Sequence, residues 1–276
     1  MEFILNKPLV SVIIPIYNAE LYLRETLESV CNQTYKSLEI LLINHHSTKK
    51  DISIISSFED TDNRIKVINL DMNKGGPAYP RNIGIENSTG RYLSFLDADD
   101  VWSVDKIEKQ IKFMNENNIR FTSSDCSLID TDSKLLKLSK KSLIFNKFIS
   151  KKTTCDLIKN NFVITSSVLI HKDLILKFNE DKNIIAVEDF DMWLKIFSKH
   201  ESEYKYQDKQ LLKYRVIEGS ASNRSNILRQ ELKSNIILAN FLLNNDKYIW
   251  CYFNRLFFHL FRKKLKIIIN NMFGQK

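Results

Sequence analysis

Residues 90–102 read Gly90-Arg91-Tyr92-Leu93-Ser94-Phe95-Leu96-Asp97-Ala98-Asp99-Asp100-Val101-Trp102, and this stretch decides the fold. Arg91 to Leu96 has the length and aromatic-apolar composition of a buried strand. It runs directly into three carboxylates within four residues. In extended backbone Asp97 and Asp99 point to one side and Asp100 turns away. A buried strand that ends in acids suits an open α/β sheet, where ligands gather at the carboxyl ends of the strands.

The segments before it support that reading. Leu9 to Ile16 and Leu38 to Ile43 are short apolar runs. Between them, Ala19 to Cys31 carries Leu23, Leu27 and Val30 at helical spacing. Strand, helix, strand predicts a βαβ unit and a parallel sheet. Arg64 to Leu70 reads as a third strand, and Pro80 to Asn87 as a short helix closed by Ser88-Thr89-Gly90. After the acidic stretch, Asp105 to Asn117 reads as a helix with Ile107, Ile111 and Met114 on one side. Phe121 to Ile129 and Leu135 to Phe148 read as strands with a loop. Val163 to Ile170 reads as a strand, Lys172 to Phe178 as a short helix, and Val187 to Phe197 as a helix starting near Glu188. Leu211 to Val216 reads as the last strand, and beyond Gly219-Ser220 the chain reads as helical.

Three clustered carboxylates repel one another and protonate unless a cation intervenes. Their hard oxygens suit Mg²⁺ or Mn²⁺ bridging a diphosphate. Asp99 or Asp100 equally suits the N-cap of the helix that follows. Glu188 and Asp189 open another helix, where their charge meets the positive end of the dipole. The residues alone leave both pairs of readings open.

The chain has 276 residues, 43% hydrophobic and 27% charged, as in ordinary globular proteins. Six glycines and four prolines exclude collagen-like and low-complexity classes. Cys31, Cys126, Cys155 and Cys251 form no CxxC pair and read as separate buried thiols in a reducing compartment, not as ligands or a bridge. Neither a signal peptide nor a spanning segment is evident, so a cytoplasmic location is expected.

The net charge of +8 is uneven. No acid follows Asp246, while Lys247, Arg255, Arg262, Lys263, Lys264, Lys266 and Lys276 do. A second acid-free run lies between Asp132 and Asp156. Such fields favour anionic partners. Across 247–269, aromatic residues alternate with basic ones, which suits a helix on the inner face of an anionic membrane. A helix packed on the protein explains the same pattern. Nucleic acid is not expected, because the basic runs come with no recognised reading module.

The ordered motifs resemble the family-2 glycosyltransferases of GT-A fold across residues 9 to about 222. The resemblance rests on Val10-Ser11-Val12-Ile13-Ile14-Pro15-Ile16-Tyr17-Asn18, then Asn73-Lys74-Gly75-Gly76-Pro77-Ala78 with Arg81-Asn82-Ile83-Gly84-Ile85. It continues through the DxD segment 90–102, Asn161 with Thr165-Ser166-Ser167-Val168, and Val187-Glu188-Asp189-Phe190-Asp191-Met192-Trp193-Leu194. Tyr214-Arg215 with Gly219-Ser220 completes the order.

The resemblance implies a GT-A domain over 1–220, with a donor half at 1–102 and an acceptor half at 103–220. A helical extension follows over 221–276. It implies inverting transfer from a nucleotide-diphosphate sugar to a hydroxyl of a glycan or lipid-linked acceptor, in lipopolysaccharide or capsule synthesis. Asp99 would ligate Mn²⁺ or Mg²⁺, with Asp97 meeting ribose or metal and Asp100 as second ligand or support. Asp189 would be the general base, and Glu188 its alternative or its orienter. Pro15, Tyr17, Asn44, His45, Arg81, Asp97, Ala98 and Asp99 would line the nucleotide-sugar. Trp102, Ser166, Ser167, Asp191 and Trp193 would lie on the acceptor side, Trp193 being equally a core residue. A non-catalytic nucleotide-sugar binder is the alternative.

One segment departs from the family pattern. Asn44-His45-His46-Ser47-Thr48 stands where the family carries Asp-Asp-Gly-Ser-Thr, whose acid meets the nucleobase. Uridine is the first expectation for the donor, with cytidine and guanosine open.

Overall fold

A computed structural model describes residues 7–136, 152–217 and 227–256. Eight strands form one sheet: β1 (Val10–Ile16), β2 (Leu38–Asn44), β3 (Ile65–Asn69), β4 (Tyr92–Phe95), β5 (Val101–Trp102), β6 (Phe121–Ile129), β7 (Val168–His171) and β8 (Tyr204–Arg215). Their order is β3-β2-β1-β4-β7-β6-β8-β5. The first four are parallel, and β7 is antiparallel to both β4 and β6. The chain leaves β1 towards β2 and β3 on one side, then returns to β4 on the other. The carboxyl ends of β1 and β4 therefore flank the switch point, where open α/β sheets bind ligands.

The apolar runs become fully covered strands because helices lie on both faces. On one face α1 (Leu23–Cys31) buries Leu23, Leu27 and Val30, and α4 (Lys106–Asn117) buries Ile107, Ile111 and Met114. On the other, α3 (Ala78–Asn87) and α6 (Glu188–His200) cover Ile13, Leu41, Phe95 and Phe121. Gly84 lets α3 settle on β1, since a Cβ there would overlap the Ile13 side chain. Pro80 lies in the first turn of α3, where a missing N–H costs nothing.

Several sequence expectations need correction. A helix, α2 (Lys49–Glu59), lies between β2 and β3. It buries only Asp51 and Ile55, so its apolar periodicity is too thin to read. Its legible signal is the Thr48–Asp51 capping box. Lys172 to Phe178 is no helix. One 3₁₀ turn over Lys172–Leu174 gives way to extended chain. There the Asn82 side chain exchanges two hydrogen bonds with the Phe178 backbone, at 2.9 and 2.7 Å. The strand expected from Val163 begins at Val168, after a turn at Thr165–Ser167. The last strand is longer than read, because β8 starts at Tyr204 beside β6.

The thiol expectation is also corrected for one pair. Cys155, in α5 (Thr154–Lys159), is disulfide-bonded to Cys251, with Cα atoms 5.3 Å apart. Separation of 96 residues hid this pairing from the sequence. Cys31 and Cys126 are free. The extension begins with α7 (Ile227–Leu243) and continues in a helical stretch at 249–256. Gly219-Ser220, most of the basic run after Asp132 and the residues beyond 256 lie outside the described residues. Among the described residues no helix is long and apolar enough to cross a membrane.

Candidate active site

The Asp97–Asp100 turn sits at the end of β4 and is tied by three residues from elsewhere in the chain. The Asp97 N–H donates to Ser166 Oγ at 3.1 Å. Thr26 Oγ1, from α1, donates to the carbonyls of Ala98 and Asp100 at 3.0 and 2.8 Å. Arg215, at the end of β8, donates from Nε to the Asp99 carbonyl at 2.8 Å and from its backbone N–H to Asp100 Oδ1 at 3.0 Å. The same guanidinium pairs with Glu25 at 2.5 Å and lies 4.5 Å from the Tyr22 ring centre. Sequence reasoning named Arg215 only as part of a motif. Its position at the last residue of the last strand was the available signal.

The three acids have separate roles in this geometry. Asp100 is buried, and its Oδ2 has no hydrogen-bond partner among the described residues. Burial, then the charges of Asp99 and Asp97, push its carboxyl well above the ordinary range. Burial and Asp97 push Asp99 up to about 6. Asp97 Oδ1 receives Arg81 Nη2 at 2.5 Å. Such crowded negative charge is what a divalent cation relieves. The donor set fits one, with Asp99 and Asp97 as hard oxygen ligands. Among the described residues no group of three His, Cys, Asp or Glu side chains could hold a metal ion unaided.

Arg81 links this turn to the start of α6. It is 3% exposed, and its Nη1 donates to Glu188 Oε1 at 3.1 Å. Glu188 is thus buried and ion-paired. Asp189, its neighbour, has a different environment. Its Oδ1 accepts the Phe190 N–H at 2.7 Å, and Thr165 Oγ1 donates to Oδ2 at 3.3 Å. Burial, then the Glu188 charge, raise Asp189 to about 7, against the pull of Arg81. A carboxylate of that affinity can take a proton near neutral pH.

The other end of the cleft is aromatic. Tyr17, just after β1, is 54% exposed. The His45 ring lies 6.2 Å from Tyr17 and 6.0 Å from Tyr79. Lys74 Nζ stands 3.7 Å from the centre of the Tyr79 ring. Asn44 is engaged at both ends: Oδ1 accepts the Ser47 N–H at 3.0 Å, and Nδ2 donates to Asn69 Oδ1 at 2.7 Å. His45 Nε2 accepts the Lys74 N–H at 3.1 Å. A backbone N–H only donates, so the neutral imidazole carries its proton on Nδ1. Burial, then His46, lower the His45 pKa and favour that neutral form. His46 adopts φ +64°, a conformation that favours glycine.

The residues expected on the acceptor side are distributed differently. Trp102 is buried, and its indole N–H donates to the Ser166 carbonyl at 2.8 Å. Gln110 holds the Ser167 carbonyl at 2.8 Å. These three expected residues thus lie behind the Asp97–Asp100 turn. Trp193 is fully buried and stacked on Phe121 at 5.6 Å. Asp191 pairs with Lys195 along α6 at 2.6 Å. Pro15 is half-buried in β1, paired in register with Ile43.

Residues 11–178 match the sequence profile described as Glycosyl transferase family 2. An uncharacterized glycosyltransferase of Haemophilus influenzae is 42% identical over 49% of this chain, and the chain spans about half (53%) of that protein's length. The glycosyltransferase TuaG of Bacillus subtilis, provisionally named for teichuronic acid biosynthesis, is 34% identical over 79% of this chain and 82% of its own. The Escherichia coli UDP-Glc:alpha-D-GlcNAc-diphosphoundecaprenol beta-1,3-glucosyltransferase WfgD is 31% identical over 86% of this chain and 87% of its own. The crystal structure of S. aureus TarS 1–349 superposes with a TM-score of 0.68 at 19% identity, covering 90% of this chain and 72% of that one. The mannosyltransferase PcManGT from Pyrobaculum calidifontis, solved with GDP-Man and Mn²⁺, gives 0.61 at 16% identity over 91% and 74%. At these identities the two structures show a shared fold.

Proposed function

The chain belongs to glycosyl transferase family 2, and from that premise we propose that it transfers a sugar, with inversion, from a nucleotide-diphosphate sugar to an acceptor hydroxyl in bacterial surface-polysaccharide synthesis. The observation that carries the mechanism is the unequal pair at the start of α6. Glu188 is locked to Arg81, whereas Asp189 is raised to about 7 by burial and by Glu188. Asp189 takes the proton of the acceptor hydroxyl as its oxygen forms the new bond to the anomeric carbon. The bond from that carbon to the leaving diphosphate breaks in the same displacement, which inverts the centre. Thr165 orients the Asp189 carboxylate, and Arg81 holds Glu188 and Asp97 in register.

Asp99 and Asp97 would hold Mn²⁺ or Mg²⁺, which supplies positive charge to the departing diphosphate. Tyr17, His45 and Tyr79 offer ring faces and edges to the nucleobase. His45 is 3% exposed and has only its Nδ1–H left to donate, so a base seated against that ring would turn an acceptor atom towards it. UDP-sugars remain the first expectation. A lipid-linked glycan is the favoured acceptor, in keeping with the diphosphoundecaprenol in the name of WfgD. A non-catalytic binder has no use for a raised, oriented carboxylate beside the acids at Asp97 and Asp99.

The test is Asp189→Asn. It should lower transfer by about 10²–10⁴-fold while leaving nucleoside-diphosphate affinity, measured by calorimetry, within experimental error. Transfer that survives the substitution would remove Asp189 from the role of base.

A further inference from the structure

Helix α7 is apolar on two opposite faces. Ile237, Leu238 and Phe241 face the catalytic core and are buried. Leu228, Leu232, Ile236 and Leu243 are 75, 63, 54 and 83% exposed, and Ala239 is exposed among them. At about 100° per residue these five fall within roughly 80° of one another, opposite the buried face. An outward stripe of this kind is not needed for folding and marks a contact surface. The stretch 249–256 repeats the arrangement. Cys251 and Tyr252 pack inward, while Trp250 and Phe253 are 74 and 53% exposed.

The extension cannot roll to hide these faces. Lys233 Nζ holds the Ile185 carbonyl at 2.8 Å, and Arg255 holds the Ile158 carbonyl at 2.8 Å. The Cys155–Cys251 disulfide and the Phe241–Tyr248 stack fix it further.

We propose that the outer face of α7, with Trp250 and Phe253, is a docking surface for an anionic lipid bilayer. Charge decides between lipid and a second copy. Arg229 is exposed on α7, and Asp246 and Lys247 are exposed just after it. The twenty residues beyond 256 add Arg262, Lys263, Lys264, Lys266 and Lys276 without one acid. Two such surfaces repel each other, whereas an anionic leaflet attracts each of them by about 1 kcal/mol per basic residue. Trp and Phe beside Lys and Arg are the composition of an in-plane interfacial helix. The sequence pattern pointed to 247–269; the structure assigns much of the apolar contact to α7, upstream of it.

The helix that carries this surface is linked through Ile185 to the Gly75–Gly76 turn. Ile185, held by Lys233, packs against the Gly75–Gly76 turn, where a Cβ on Gly76 would lie 3.2 Å from it. Lipid docking would bring a lipid-linked acceptor to the transfer site, so this part of the inference rests on the proposed function.

The experiment is flotation of the full chain with vesicles of phosphatidylglycerol in phosphatidylcholine, and with phosphatidylcholine alone. The double variant Leu232→Glu, Ile236→Glu changes only exposed positions, so its thermal unfolding and nucleoside-diphosphate binding should match the parent chain. The parent chain should float with the anionic vesicles and at least about 10-fold less with the neutral ones, and the double variant should lose flotation by a similar factor. The proposal falls if the parent chain does not float, if the double variant floats equally, or if the parent sediments as a dimer that the variant splits. Flotation without detectable transfer would overturn the proposed function and leave the docking surface standing.

Discussion

Asp189 and His45 carry the two sharpest residue-scale predictions. As the proposed base, Asp189 would act only when ionised, and burial with Glu188 raises it to about 7. Turnover should therefore fall as pH drops through about 7, in a pH–rate profile at saturating donor. An acidic limb near the ordinary carboxylate value of about 4 would contradict the environment described. His45 carries its proton on Nδ1 because the Lys74 N–H occupies Nε2. His45→Phe keeps a ring between Tyr17 and Tyr79 but loses that donor. Nucleoside-diphosphate binding should weaken by about 1 kcal/mol, roughly fivefold, while inorganic pyrophosphate binds unchanged. Equal losses for both ligands would show that the ring supports the cleft and does not read the base. Asp100 gives a stability prediction. Its folded pKa is raised, so its charge costs stability as pH rises above the ordinary carboxylate range. Asp100→Asn keeps the acceptor for the Arg215 N–H and removes that cost. Its melting temperature should exceed the parent's at pH 8, and the gap should close in acid.

Elements differ in how plainly the sequence announced them. β1, β2 and β4 are buried on both faces, so they read as mainly apolar runs, broken only by Ser11, Glu39 and Ser94 before the polar end of β2 at Asn44. α1 and α4 each bury one stripe and show helical spacing. α2 buries almost nothing, and buried and exposed positions follow no regular alternation along β8, so neither has a strong period. Phe178 lies outside any helix, its backbone N–H and carbonyl both bonded by Asn82, 96 positions away. No local rule carries that information. The Cys155–Cys251 bond is hidden for the same reason, and it ties the extension to α5. Cys155→Ser should cost about 2–5 kcal/mol, seen as a lower unfolding midpoint and faster proteolysis within 249–256. An unchanged midpoint in oxidised protein would mean the pair is not bonded in solution.

At the scale of the molecule, the chemistry was more legible than the packing around it. The acids of the Asp97–Asp100 turn and the Glu188–Asp189 pair announce themselves by type and position, and the fold brings both to Arg81. What the sequence did not reveal is which acid is paired and which is free to act. Arg81 carries that distinction, because one guanidinium bridges two segments more than ninety residues apart. Trp102, Ser166 and Ser167 show the same limit from the other side. Their types suit a sugar site, yet their partners place them beneath the acidic turn.

The central claim is that this cleft breaks a nucleotide-diphosphate sugar and that Asp189 serves the transfer. The most direct measurement is nucleotide release from a panel of UDP-, GDP-, CMP- and TDP-sugars with Mn²⁺ and a lipid-linked glycan acceptor, comparing the parent chain with Asp189→Asn. The account predicts acceptor-stimulated release from one donor, lost in the variant while that variant still binds the nucleotide. Equal release by both chains, or no binding of any donor by the parent, would contradict it.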